Sequence, residues 1–190
     1  MAPPCVLGSS DPPCEPVASV PSEDTRYHFS MHPNPYGADL GDLDPLQALG
    51  ETPFQIRAMV HDWTDAHFER SYAPGKWSAR TILAHLAQTE LALSTRVRFA
   101  LTTADYQAQS FDQDDWMPLD EQVDARTALD TYTTLRAMNL SMWRGLDEAQ
   151  RKRTFYHPDF GLVDVLWVAA QMAGHDIHHL RHFEQMVATT

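Results

Sequence analysis

Four of the chain's ten histidines, His175, His178, His179 and His182, fall within eight residues near the C-terminus, among residues spaced like a buried helix. An α-helix turns about 100° per residue, so positions three and four apart share a face. With His175 at zero, His179 falls at about +40°, His182 at about −20° and His178 at about −60°. Val168, Met172 and Met186 lie within about 60° of the same direction. The apolar stripe is therefore centred where His175 and His179 point, and the cluster does not lie on a solvated face. A buried imidazole has to be hydrogen-bonded or coordinated, because an unsatisfied buried polar group costs about 1–3 kcal/mol. Two imidazoles one turn apart on a core face form a natural bidentate chelate for a metal ion. Gly174, immediately before the pair, suits close approach by a neighbouring helix.

Two ligands do not complete a site. His85, in "TILAHLAQTE", stands at the edge of another apolar stripe, between Ile82, Leu86 and Thr89. It is either a hydrogen-bonded core residue or a third ligand, and the histidine pair favours the second reading. Three neutral imidazoles from two helices would leave coordination positions open to water or substrate, as catalytic sites do and closed structural sites do not. Imidazole nitrogens suit zinc, nickel, copper or iron, and manganese is a further candidate ion.

Other candidates carry two readings each. Asp176, at about +100° on the same wheel, either orients a ligand imidazole or pairs with an arginine. His178 and His182 sit toward one edge of the stripe, as pocket or supporting residues. Trp116 follows Asp112, Asp114 and Asp115 in a polar loop, where it either stacks on substrate or anchors the loop. His157 precedes the last helical segment and could approach the pocket. Arg96 and Arg98 either bind an anionic substrate or form salt bridges, and Glu90 reads as structural. No nucleophilic Ser or Cys arrangement, Gly-rich phosphate loop or HExxH motif is present, so no catalytic residue is assigned.

The elements that must position these residues are helical. A first segment spans about 44–70, with a break expected near Pro53 and with Phe54, Ile56, Met59, Val60, Trp63 and Phe68 on its apolar side. Pro74-Gly75 marks a turn. The second helix starts at Ser78 as N-cap, with Trp77 and Ile82 as a hydrophobic staple, and runs to about Thr102. A third is expected from Asp120 as cap, through Ala128, Leu129, Tyr132, Leu135, Asn139, Met142, Trp143 and Leu146. A fourth takes Leu162 to about Val187. No alternating strand segment is evident. Four such helices predict an all-α four-helix bundle over residues 44–188.

Eight of the thirteen prolines fall in residues 1–40, a composition that argues for a disordered tail. Cys5 and Cys14 both lie there, so no disulfide framework supports the bundle. The tail lacks a basic stretch followed by an apolar run, and a cytoplasmic location is the expectation. Met31 stands close to where the helical pattern begins. The net charge of −12 repels phosphate backbones and speaks against nucleic-acid binding. No apolar run approaches the roughly 18 residues that span a bilayer.

The segments "PGKWSARTILAHLAQTE", "FDQDDWM" and "HPDFG…AGHDIHHLRHFEQM" resemble the DinB-like (DinB/YfiT-type) superfamily of metal-dependent enzymes, over about Asp44 to Met186. The resemblance implies a four-helix bundle with a divalent ion held by His85, His175 and His179. It also implies a homodimer acting on a small molecule, and the activities known among members include thiol-dependent S-transfer and a mycothiol-dependent maleylpyruvate isomerisation. A low-molecular-weight thiol is thus a possible cofactor. Relatives often carry Gln where this chain has His182. The leading expectation is a metal-dependent thiol S-transferase. A metal-dependent hydrolase and a non-catalytic metal-binding or ligand-sensing module are the alternatives. A purely structural reading, with the three imidazoles hydrogen-bonded in a wet core, predicts no stoichiometric metal.

Overall fold

The computed structural model describes residues 32–188. Its elements run α1 (Gly37–Leu40), α2 (Pro45–Met59), α3 (Asp65–Phe68), α4 (Ala79–Thr102), α5 (Gln113–Trp116) with a 3-10 turn at Met117–Asp120, α6 (Ala125–Gly145), α7 (Glu148–Arg151), β1 (Thr154–His157), β2 (Gly161–Asp164) and α8 (Val165–Ala188). The long helices α2, α4, α6 and α8 form a four-helix bundle. In it α4 packs along α6 and α2 along α8, with further contacts of α2 to α6 and of α4 to α8.

Each long helix starts where a side chain satisfies its free N–H groups. Asp44 accepts from the Gln47 N–H at 2.8 Å and is followed by Pro45, whose missing donor is harmless at a first helical position. Ser78 caps α4 through the Thr81 N–H, as its sequence implies. The cap of α6 is Asp124, which accepts from the Arg126 and Thr127 N–H groups. Asp120, expected in that role, accepts instead from Gln88 Nε2 at 2.7 Å.

Pro53 does not break α2. A proline inside a helix strips the partner from the carbonyl four residues earlier, here Leu49, and Arg136 Nη1 supplies that carbonyl with a hydrogen bond at 3.0 Å. The helix ends at Met59, and the expected continuation to Arg70 is replaced by turns and the short α3. Phe54, placed on the apolar side by its sequence, is 76% exposed.

A short sheet also departs from the all-helical expectation for the stretch before α8. Residues 154–157 pair antiparallel with 161–164, Phe155 opposite Val163 and His157 opposite Gly161. Phe155, His157 and Val163 are buried. Strands of four residues are too short for a period of two to stand out. The last helix consequently starts at Val165 rather than Leu162, with Asp164 Oδ1 accepting from the Trp167 N–H.

The core has two apolar clusters. One gathers Ile82, Leu83, Leu86, Tyr132, Phe183 and Met186, and the other gathers Leu93, Val97, Trp143, Val165, Val168 and Met172. Where they adjoin, both α4 and α8 carry buried polar residues: His85, Gln88, Thr89 and Glu90 on one helix, His175, Asp176 and His179 on the other. Every candidate ligand belongs to this polar layer.

Residues 1–31, with Cys5, Cys14 and Met31, lie outside the described residues. Residues 32–40, expected to belong to the tail, are described, and here the chain packs on the bundle. Leu40 is buried and α1 contacts α8. Gly174 provides the fit: a Cβ there would meet the Tyr36 backbone oxygen at 2.3 Å and Tyr36 Cβ at 2.8 Å. The element that approaches Gly174 is thus the Tyr36 turn rather than a bundle helix. Helix propensity alone would make Gly174→Ala stabilising by about 1 kcal/mol. The clash is with backbone, which cannot swing aside, and overpacking of this kind costs about 1–3 kcal/mol. Gly174→Ala is therefore expected to lower the melting temperature and to expose residues 33–41 to limited proteolysis. A variant as stable and as protease-resistant as the wild type would contradict this.

Candidate metal centre and pocket

The residues of the polar layer converge at one point. His85 from α4 and His175 and His179 from α8 are all buried, and each offers a ring nitrogen such that the three atoms lie within 4.8 Å of one another. His85 Nε2 is 2.9 Å from His175 Nε2, and His179 Nε2 is 3.1 Å from the same atom. Three nitrogens at about 2.0–2.1 Å from a shared ion would stand roughly 2.9–3.4 Å apart. Burial, and then the neighbouring His175, push the His85 imidazole down to about 3. Burial and the flanking His175 and His85 hold His179 well below the ordinary histidine value. Both rings are therefore neutral at pH 7, with lone pairs free to coordinate. Trp77 and Tyr36 pack against this centre, at ring distances of 5.0 Å from His85 and 5.1 Å from His175.

The electrostatics beneath the imidazoles also suit a cation. Arg136 bonds Glu90 Oε1 through Nε at 2.8 Å and Nη2 at 2.5 Å, and donates from Nη1 to Asp176 Oδ2 at 2.6 Å. Tyr132, Thr52 and Asn139 donate the remaining hydrogen bonds to these two carboxylates. One guanidinium thus answers two buried carboxylates, and a negative charge is left in excess next to His175. Burial alone would raise the Asp176 pKa, but the Arg136 charge outweighs it and holds the carboxyl at about 2. Of the two roles open to Asp176, the arginine partner is the one the geometry shows. Its Oδ1 stands 3.9 Å from His175 Nδ1, beyond hydrogen-bond reach.

The edge histidines differ. His182 stacks on Tyr72 with ring centres 3.8 Å apart, and its Nδ1 is 3.3 Å from His179 Nδ1. It is thus placed to hold the ring of a candidate ligand. His178 is half-exposed, 3.5 Å from an Asp39 carboxylate oxygen, and contributes to the surface beside the centre.

A cavity of about 390 Å³ opens onto His85 and His175. Its walls include Tyr36, Leu93, Phe111 and Phe160, and its polar side Thr89, Arg96, His157 and Gln171. Thr89 Oγ1 and Gln171 Oε1 are buried without a hydrogen-bond partner. His157 is buried and accepts from Arg96 Nη1 at 2.9 Å through Nε2. Burial, then the Arg96 charge, bring its pKa down to about 4, so it too is neutral at pH 7. Arg98, by contrast, bonds Asn139 and the Ser94 carbonyl and does not line the cavity. Trp116 packs edge-on against Phe111 at 4.9 Å and lines a neighbouring groove, so it bears on the pocket only through Phe111. Sequence reasoning passed over Thr89, Gln171 and Arg136. The first two were legible: Thr89 is one turn after His85, and Gln171 is one turn before His175. Arg136 lies one turn after Tyr132 on a stripe otherwise read as apolar.

A centre of three buried histidines, spread over two helices of a bundle and facing an open cavity, defines a class of candidate metal-dependent enzymes. The chain belongs to the DinB superfamily, whose family profile matches residues 48–183. It is 28% identical over 137 residues to OB0413 of Oceanobacillus iheyensis, covering 72% of this chain and 75% of that one. The name of OB0413 carries an inferred metal-dependent hydrolase activity. It is 27% identical over 144 residues to YfiT of Bacillus subtilis, covering 74% and 81%, under the same inferred activity. The solved YfiT structure, described as a probable metal-dependent hydrolase with an unusual four-helix bundle topology, superposes with a TM-score of 0.70 at 26% identity, covering 76% of this chain and 85% of that one. A mycothiol-dependent maleylpyruvate isomerase shares the fold, with a TM-score of 0.61 at 15% identity over 77% of this chain and 62% of that one. No helix among the described residues is long and apolar enough to cross a membrane.

Proposed function

We propose that the protein is a metal-dependent enzyme that transfers a thiol sulfur onto a small electrophile, with His85, His175 and His179 as the metal ligands. A divalent ion held there would supply Lewis acidity, lowering the pKa of a thiol or water set against it so that the nucleophile forms near neutral pH. The observation that carries the reading is the convergence of three buried imidazoles, two of them on the wall of an open cavity. The two unpartnered groups, Thr89 Oγ1 and Gln171 Oε1, can fix the substrate by hydrogen bonds. Tyr36, Phe111 and Phe160 exclude water from around it.

S-transfer is preferred because it needs little proton machinery. With an electrophile whose leaving group departs as a stable anion, the thiol need only lose one proton to solvent, whereas hydrolysis of a poorer leaving group must also deliver one to it. Among the described residues, the carboxylates that line the cavity are Asp112 and Asp159, both exposed. Hydrolysis remains the second reading because the relatives are named for it. The family resemblance supports a homodimer as the working form.

Metal-loaded protein incubated with a model electrophile is expected to consume it only when a low-molecular-weight thiol is present. Equal consumption without thiol points to hydrolysis. No consumption in either case points to a non-catalytic metal-binding or ligand-sensing module.

A further inference from the structure

Among the described residues no carboxylate forms an ion pair with the buried Arg96. Its side chain is 7% exposed, and its two hydrogen bonds go to His157 Nε2 at 2.9 Å and the Gln109 carbonyl at 2.7 Å, both neutral acceptors. Asp159, whose charge acts on Arg96 without an ion pair, faces the opposite nitrogen of the His157 ring at 3.8 Å and is 66% exposed. Desolvating a guanidinium is unfavourable unless a negative partner compensates it. The other buried arginine, Arg136, has two carboxylates. In a protein of net charge −12 acids are abundant, yet among the described residues none forms an ion pair with Arg96. The guanidinium lines the cavity that also holds His85, His175 and the unpartnered Thr89 Oγ1 and Gln171 Oε1. Leu93, Phe111 and Phe160 give the wall an apolar side, and the two carboxylates that also line it, Asp112 and Asp159, are exposed.

We propose that this cavity takes a small organic carboxylate, its anionic end paired with Arg96 and its apolar body against Phe111 and Phe160. The end that reacts is then presented to His85 and His175. This rests on the reading of the cavity as the substrate site and adds the substrate's class to it. A single carboxylate matches the single unanswered charge. A planar carboxylate also fits a guanidinium's paired N–H donors.

Calorimetric titration with phenylacetate and its neutral isostere phenylacetamide tests the assignment, on metal-stripped and metal-loaded protein. Phenylacetate is expected to bind roughly tenfold or more tightly than the amide in both forms, the size of one charge-assisted hydrogen bond. Arg96→Met is expected to abolish that preference while leaving the amide affinity and the metal content unchanged, and Arg96→Lys to keep part of it. Equal binding of the two probes to the wild type, or binding of neither, overturns the proposal. So does a preference that survives Arg96→Met, or one seen only with metal present, which would assign the carboxylate to the ion. The wild-type comparison decides even if a variant fails to fold. Wild-type protein that selects phenylacetate but binds no metal would sink the enzymatic reading and leave this one standing. Metal binding with thiol-dependent turnover and no selectivity would do the reverse.

Discussion

His175→Ala is expected to lower divalent-metal affinity by at least roughly a hundredfold, since loss of an outer-shell partner alone costs 10- to 100-fold and His175 lies in contact with both other ligands. Equilibrium dialysis against zinc or nickel would show about one ion per wild-type chain and far less than one per variant chain at the same free concentration. The stability readout is separate. Metal at a hundred times its dissociation constant adds about 2.7 kcal/mol to the wild type by mass action, and it should add nothing to the variant. If the imidazoles served only to fill a wet core, His175→Ala would shift the unfolding midpoint while metal content stayed at its wild-type level. His85→Ala and His179→Ala are expected to behave as His175→Ala does, because each removes one nitrogen of the same trio.

Arg136→Met should damage the fold more than any substitution at the metal centre. It leaves Glu90 and Asp176, at 0% and 1% exposure, as buried carboxylates without their shared cation. Breaking a buried ion pair from one side costs about 3–5 kcal/mol. It also removes the donor from the Leu49 carbonyl that Pro53 leaves free, and an orphaned buried acceptor costs about 1–3 kcal/mol more. A domain of this size has only about 5–15 kcal/mol of stability in all, so the variant should be largely unfolded or nearly so in urea titrations. Adding Glu90→Gln and Asp176→Asn to Arg136→Met should recover part of the loss, because two neutral amides no longer need a cation. A single variant with a near-wild-type urea midpoint would mean that the network is dispensable, and the excess negative charge inferred beneath His175 would go with it.

How far the sequence leads depends on whether a feature is local and periodic or relies on a distant partner. Ser78 announces α4 because its cap is a contact three residues long. His85, His175 and His179 could be placed on core faces because helical rotation is cumulative and regular. The N-terminus of α6 was expected four residues early: Asp120 and Asp124 are both competent caps, and only the pairing of Asp120 with Gln88 on another helix distinguishes them. Pro53 reads as a break in any local view, and it is tolerated because Arg136, 83 residues away, serves the freed carbonyl. The hairpin before α8 escaped notice because four-residue strands leave no measurable alternation. Tyr36 belongs to a stretch whose composition argues for disorder, yet the bare backbone at Gly174 lets it pack beside His175. The layer of polar residues across the core was visible only in part, since an arginine on an apolar stripe looks solvated until its carboxylates are found.

The most direct test is anomalous scattering from crystals of the protein purified without a histidine tag, read together with elemental analysis of the same preparation. A single ion per chain is expected, about 2.0–2.1 Å from Nε2 of His85, His175 and His179, with at least one coordination position facing the cavity. Crystals soaked in metal that show the three rings turned apart, or packed against one another with no ion between them, would contradict the account at its base.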